Sequence, residues 1–205
     1  PPPFTPSSVR SYATHPGWVM HYLFREKCAL PNLSTQVSEG TNVAVSVADY
    51  FNTMLDQSMD WKMAEAIRAE WGGQFCLKGV MSVEDAKRAV DIGATAIMVS
   101  NHGGRQLDGS RSPFDQIAEI ADAVGGKIDI ICDGGVRRGT HVLKALAAGA
   151  TACSGGRLYL YALAAAGEPG VDRVVGKLRD EIERGMKLMG VRSVAELNSS
   201  MLRWR

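Results

Sequence analysis

A chain of 205 residues, 45% apolar and 22% charged, is long enough to bury a core and reads as an ordinary soluble globular protein of one domain or two small ones. Its net charge of +1 gives no electrostatic reason to expect nucleic acid as a partner, no apolar run approaches the roughly 20 residues that span a bilayer, and no signal peptide is visible. Cys28, Cys76, Cys132 and Cys153 are far apart and form no C-x-x-C pair, so free thiols in a reducing, cytoplasmic setting are expected rather than a disulfide frame or a zinc site.

Residues 1–57 are the least periodic and are expected to form an irregular, lid-like segment. The chain begins with Pro1 rather than Met, as a processed or incomplete sequence would. Pro1, Pro2, Pro3 and Pro6 predict an extended start, and His15-Pro16-Gly17-Trp18 predicts a turn. Residues 19–24 are apolar and aromatic and suit a strand or one side of a short helix. Residues 31–48, rich in Ser, Thr, Asn and Gly, predict a long loop over the surface or over a site, where peripheral contact with a membrane stays open. His15 and His21 have no acidic partner at a telling spacing and read as structural.

From Ser58 onward strands and helices alternate. Trp61, Ala64, Ile67 and Trp71 mark one face of a helix, with Ser58 as its candidate N-cap and Gly72-Gly73 as its stop. F-C-L-K-G-V over residues 75–80 predicts a strand with Lys78 near its end. Ser82 with Asp85 resembles a capping box ahead of a helix buried through Val83, Ala86, Ala89 and Val90 and ending at Gly93. The apolar run 94–99 predicts the second strand, which stops in S-N-H-G-G-R. Ser112 and Pro113 open a helix facing inward with Phe114, Ile117, Ala118, Ala121 and Val124. Residues 128–132 predict a third strand running into D-G-G-V-R-R-G, followed by a helix carried by Val142, Leu143 and Leu146. A fourth strand over 150–153 meets S-G-G-R, then come helices over 158–166 and 171–189. Ser193 with Glu196 starts one last short helix.

Strands alternating with helices every roughly 20 to 30 residues imply parallel pairing through helical crossovers. Each predicted strand has a basic side chain at or just beyond its tip: Lys78, Arg105, Arg137 and Arg157. In parallel α/β folds those tips share one face, where sites are built, so four cations there point to an anion. Asp133-Gly134-Gly135 with Arg137, and Gly156 with Arg157, suit a phosphate, because glycine turns expose N–H groups, helix N-termini favour negative charge and guanidinium groups bind bidentately. His102 is the side chain suited to proton exchange near neutral pH, and Arg105 offers a fork for a carboxylate. Residues 98–108 taken alone would equally suit a surface turn.

V-S-N-H-G-G-R-Q-L-D, preceded by L-K-G-V and followed by D-G-G-V-R-R-G and G-R-x-x-L-Y-A-L, resembles the FMN-dependent α-hydroxy-acid dehydrogenases and oxidases, which act on lactate, glycolate and mandelate. The resemblance covers residues 58–197 almost without interruption. It implies that His102 is the active-site base, that Arg105 binds the substrate carboxylate, and that Lys78 and Ser100 contact the flavin ring. Asp133, Gly134, Gly135, Arg137, Gly156 and Arg157 would then hold the ribityl and phosphate parts of FMN. The chemistry agrees, since oxidising a 2-hydroxy acid requires a base and an electron acceptor flanking one carbon. The acceptor that reoxidises the flavin (oxygen, a quinone or a cytochrome) is left open.

Two departures stand out. Cys153, Ser154 and Gly155 occupy positions where the family carries large apolar residues, which weakens the fourth strand. A full (β/α)₈ TIM barrel needs roughly 250 residues, and four strand-helix units are present. The expected fold is therefore the C-terminal half of such a barrel, with an open sheet, weak FMN binding and poor turnover unless a second half, or a second copy in a homo-oligomer, closes the ring. Another FMN-dependent barrel enzyme and a non-catalytic phosphate- or flavin-binding half-barrel are the rival readings.

Overall fold

The prolines near the start open helices. The computed structural model describes residues 5–25 and 56–204, and its first helices are α1 (Pro6–Thr14) and α2 (Pro16–Phe24), each with proline in its first turn. Proline suits that position because its fixed φ is already helical and its missing N–H would have had no intrahelical partner. Thr5 and Ser8 form a reciprocal capping box, with Ser8 N donating to Thr5 Oγ1 at 3.2 Å and Thr5 N donating to Ser8 Oγ at 2.9 Å. The extended chain expected at Pro6 and the turn expected at 15–18 are corrected accordingly, and 19–24 is helical, while Pro1, Pro2 and Pro3 lie outside the described residues. The loop expected over 31–48 lies outside the described residues. Contacts divide the chain into two compact units, Pro1–Ser58 and Met59–Arg205.

The second unit runs α3 (Trp61–Trp71), β1 (Cys76–Lys78), α4 (Val83–Asp91), β2 (Ala96–Ser100), α5 (Pro113–Val124), β3 (Asp129–Asp133), α6 (Gly139–Ala147), β4 (Ala152–Ser154) and α7 (Arg157–Met189). Local chemistry sets the boundaries. Asp60, not Ser58, caps α3, its Oδ1 accepting from Met63 N at 3.0 Å. Ser82 Oγ accepts from Asp85 N at 3.1 Å, and Glu84 and Asp85 place negative charge at the positive end of α4. Ser112 sits at the N-cap of α5 without a side-chain cap bond, and Pro113 fills the first helical position as expected. The chain leaves helical geometry at Ala166 and Gly167, dividing α7 into the two helices expected.

The four strands are parallel in the order β1-β2-β3-β4. One face is sealed against the helices: Ile97 and Val99 are 0% exposed and Ile130 and Cys132 1%, packed with Ala86, Ala89, Ile117 and Ile120. Each such isoleucine contributes about 1.5–3 kcal/mol relative to exposure. The opposite face carries Lys78, Met98, Ser100, Ile131, Asp133, Ala152 and Ser154; Met98 and Ile131 are half-buried there and Ala152 is exposed. Helix α7 lies close on α6, because a side chain at Gly139 would run into Glu181 and Ile182, and one at Gly185 into Leu143. No helix of the described residues is long and apolar enough to cross a membrane.

Candidate active site

The register carries polar residues into one row at the C-terminal ends of the strands, with Ser100 beside Asp133 and Asp133 beside Ser154. Lys78 Nζ reaches over from β1 and donates to Ser100 Oγ and to Asp133 Oδ2, both at 2.8 Å. Ser100, 1% exposed, donates to Asp133 Oδ2 at 2.6 Å and accepts from His102 N at 3.2 Å. Burial opposes ionisation of Asp133, but hydrogen bonds from Lys78, Ser100 and Ser154, with the charge of Lys78, outweigh it and hold the carboxyl below its usual range. Lys78, Ser100 and Asp133, three residues expected to touch the flavin, thus form one network.

Beyond Ser100 the backbone turns sharply. His102, Gly103 and Gly104 have φ of 56°, 70° and 71°, and His102 is the one non-glycine with positive φ among the described residues. Asn101 holds the turn, its Oδ1 accepting from Gly103 N at 3.0 Å and Gly104 N at 3.2 Å. Gly79 packs beside the imidazole, where a Cβ would make ordinary contact with His102 Cε1 at 3.5 Å, and its φ of 94° is what calls for glycine after Lys78. Arg157 Nη2 donates to the Gly103 carbonyl at 2.7 Å, tying the β4 tip to the histidine turn. Sequence reasoning passed over Asn101, Gly79 and Ser154. The Asn-x-Gly-Gly spacing of an Asx turn was a signal available for the first.

Arg105 and Arg137 are exposed, and neither side chain has a hydrogen bond or ion pair among the described residues. Nor does the structure gather the two expected phosphate arginines on one partner, since Arg157 bonds Gly103 and Arg137 projects freely. One expectation needs correction. The N-terminus of α6 is not open to an anion, because Glu181 Oε2 already accepts from Gly139 N at 2.7 Å and its carboxylate pairs with Arg138 Nε at 2.8 Å. An anion at this tip would fall to the Gly134-Gly135 turn and Arg137. Nothing lies within 4 Å of a Cβ built at Gly135 or Gly156, which leaves both turns open to a ligand. The open glycine turns, two exposed guanidinium groups and the ammonium of Lys78 fit the phosphate and ring of FMN by donor type. A cavity of about 380 Å³ between α6, α7 and the C-terminal segment contains none of the candidate residues.

An imidazole and cationic donors gathered on the C-terminal ends of parallel strands define a site of the α/β-barrel enzyme class. Residues 1–204 match the family model of the FMN-dependent dehydrogenases, and the chain belongs to that family. It is 40% identical over 200 residues to an L-lactate dehydrogenase of Alcaligenes faecalis, covering 96% of this chain and 52% of that protein. It is 48% identical over 147 residues to an L-lactate dehydrogenase of Caulobacter vibrioides, covering 72% of this chain and 38% of that one. Among solved structures, mandelate oxidase with benzoyl-formic acid superposes with a TM-score of 0.65 at 47% identity, over 67% of this chain and 41% of that one. A flavocytochrome b2 variant with sulfite bound gives 0.70 at 43% identity, over 72% and 39%. The chain spans about half the length of the curated relatives it matches.

Proposed function

We propose that this chain carries the base and phosphate-binding side of an enzyme that oxidises a small L-2-hydroxy acid, lactate-like in size, to the 2-oxo acid with FMN. The observation that carries the reading is the presentation of His102 on a fixed left-handed turn directly above the Lys78–Ser100–Asp133 network. Bound FMN would supply the acceptor for the hydride equivalent leaving the substrate carbon. His102 takes the substrate proton on its imidazole, an effect worth typically 10² to 10⁴ in rate. Arg105 pairs with the substrate carboxylate and fixes which carbon faces the flavin. Lys78, held in place by Asp133, sets a positive charge where electrons arrive. Arg137 and Arg157, with Gly134, Gly135 and Gly156, hold the phosphate end. The relatives' names, for lactate and mandelate, support this substrate class; the electron acceptor is set by access to the reduced flavin.

The half-exposed inner face of the sheet supports completion by further strand-helix units, from a second segment or from a second copy of the chain. The 205-residue chain alone is then a weak flavin binder, and visible flavin absorbance co-purifying with it would contradict this. Sedimentation at micromolar concentration tests self-pairing, and a monomer rules it out. The catalytic reading is tested in a completed barrel by H102N: turnover should collapse while bound flavin stays. Flavin and activity lost in step would remove His102 from its role.

A further inference from the structure

His141, in the first turn of α6, is a half-buried histidine that the catalytic reading leaves unused. Its Nδ1 stands 3.1 Å from the Gly135 carbonyl oxygen and 3.2 Å from the Arg137 backbone nitrogen. One nitrogen cannot serve both. In the imidazolium, Nδ1 donates to Gly135 O and leaves Arg137 N–H facing another donor; in the neutral ring with its proton on Nε2, the tautomer that the Arg137 N–H favours, Nδ1 accepts from that N–H and turns a lone pair toward the carbonyl. Beside it, a cavity of about 260 Å³ bounded by Cys132, Gly134, Gly135, Val136, His141 and Lys144 gives the turn room to rearrange.

Charged groups face the imidazole from the elements packed around it. Lys144 lies on the same helix, Arg137 and Arg138 on the turn and Glu181 on α7, while Ser112 and, on α5, Phe114 add no charge. Hydrogen bonds from Arg138 and from Gly139 N hold Glu181 below the usual carboxylate range. Asp133 is also held down, its bonds to Lys78, Ser100 and Ser154 overcoming burial. Burial pushes the Cys132 thiol up to about 12. Histidine is the side chain whose charge ordinarily changes between pH 5 and 8.

We propose that His141 is a proton-operated latch on the phosphate-binding turn: losing its proton ties up the Arg137 N–H, and gaining it frees that N–H for a ligand phosphate and adds a positive charge beside it. The ligand's identity rests on the flavin reading above. By linkage, a bound phosphate draws a proton onto His141 in equal measure. His141 is therefore a positioning residue, acting through Gly135 and Arg137.

The first test needs no flavin. In the 205-residue chain, ¹H–¹⁵N NMR between pH 8 and 5 should show the Arg137 amide signal moving in step with the His141 ring, whereas H141N and H141Q, which can make one of the bonds but carry no changing proton, should leave it flat. An Arg137 amide indifferent to the His141 titration overturns the latch. The second test compares FMN affinity of wild type and H141N, each in a completed barrel, at each pH, so that titration of the ligand phosphate cancels. The wild-type advantage should grow roughly tenfold or more on acidification, the worth of one charge-assisted hydrogen bond, and riboflavin, which lacks the phosphate, should show no such growth. A flat FMN ratio, or equal growth with riboflavin, overturns the coupling to phosphate. FMN failing to bind either protein at any pH counts against the flavin reading, while the amide response decides the latch by itself.

Discussion

The two faces of the sheet are made from alternate residues of the same strands, yet they meet opposite demands. Ile97, Val99, Ile130 and Cys132 are sealed beneath α4 and α5, at 0–1% exposure. One residue along, Met98, Ile131 and Asp133 stand half-open, and the Asp133 carboxylate is satisfied by Lys78, Ser100 and Ser154. The contrast puts the buried apolar area of the second unit on the helix-side face and its charge network on the other.

The largest expected effect falls on the sealed side. Ile97→Ala or Ile130→Ala should lower unfolding free energy by about 2–5 kcal/mol in denaturant titrations. Met98→Ala on the open face should cost well under half of that, and equal losses would break the contrast. Next comes the charge network. Because the folded Asp133 carboxyl is held below its ordinary 3.8, its contribution is fully present above that value and is lost as pH falls through the depressed one. Stability measured at pH 6 and pH 3 should therefore diverge more in wild type than in Asp133→Asn; identical pH dependence would mean that the network contributes nothing. The smallest effect is a ranking of thiol labelling rates at pH 8. Among the three described cysteines, exposed Cys76 should react first, then Cys153, whose thiol burial pushes up to about 11, then Cys132, pushed to about 12. Early labelling of Cys132 would show that the sealed face opens readily.

What the sequence made legible follows from range of interaction. The apolar runs 94–99 and 128–132, the Ser82 cap and the glycine stops are local, and the strand-helix order could be read from them. The prolines at 6 and 16 were misread because the same residue that prefers extended chain also opens helices, and the Thr5–Ser8 box that decides between the two was overlooked. At the site, His102, Lys78, Ser100 and Asp133 could each be singled out by motif. Their union depends on strand register, which brings Lys78 and Asp133 together across 55 positions. Glu181 closing the α6 terminus from 42 positions away was equally beyond any local pattern.

The left-handed backbone at His102 has an evolutionary corollary. An L side chain in that region costs about 1–2 kcal/mol that glycine would not incur. Protein libraries screened for heat resistance alone should therefore drift toward glycine at 102, gaining melting temperature as the imidazole vanishes. On the proposed reading, an imidazole retained there would be the imprint of selection for turnover, at a position where durability by itself would have erased it.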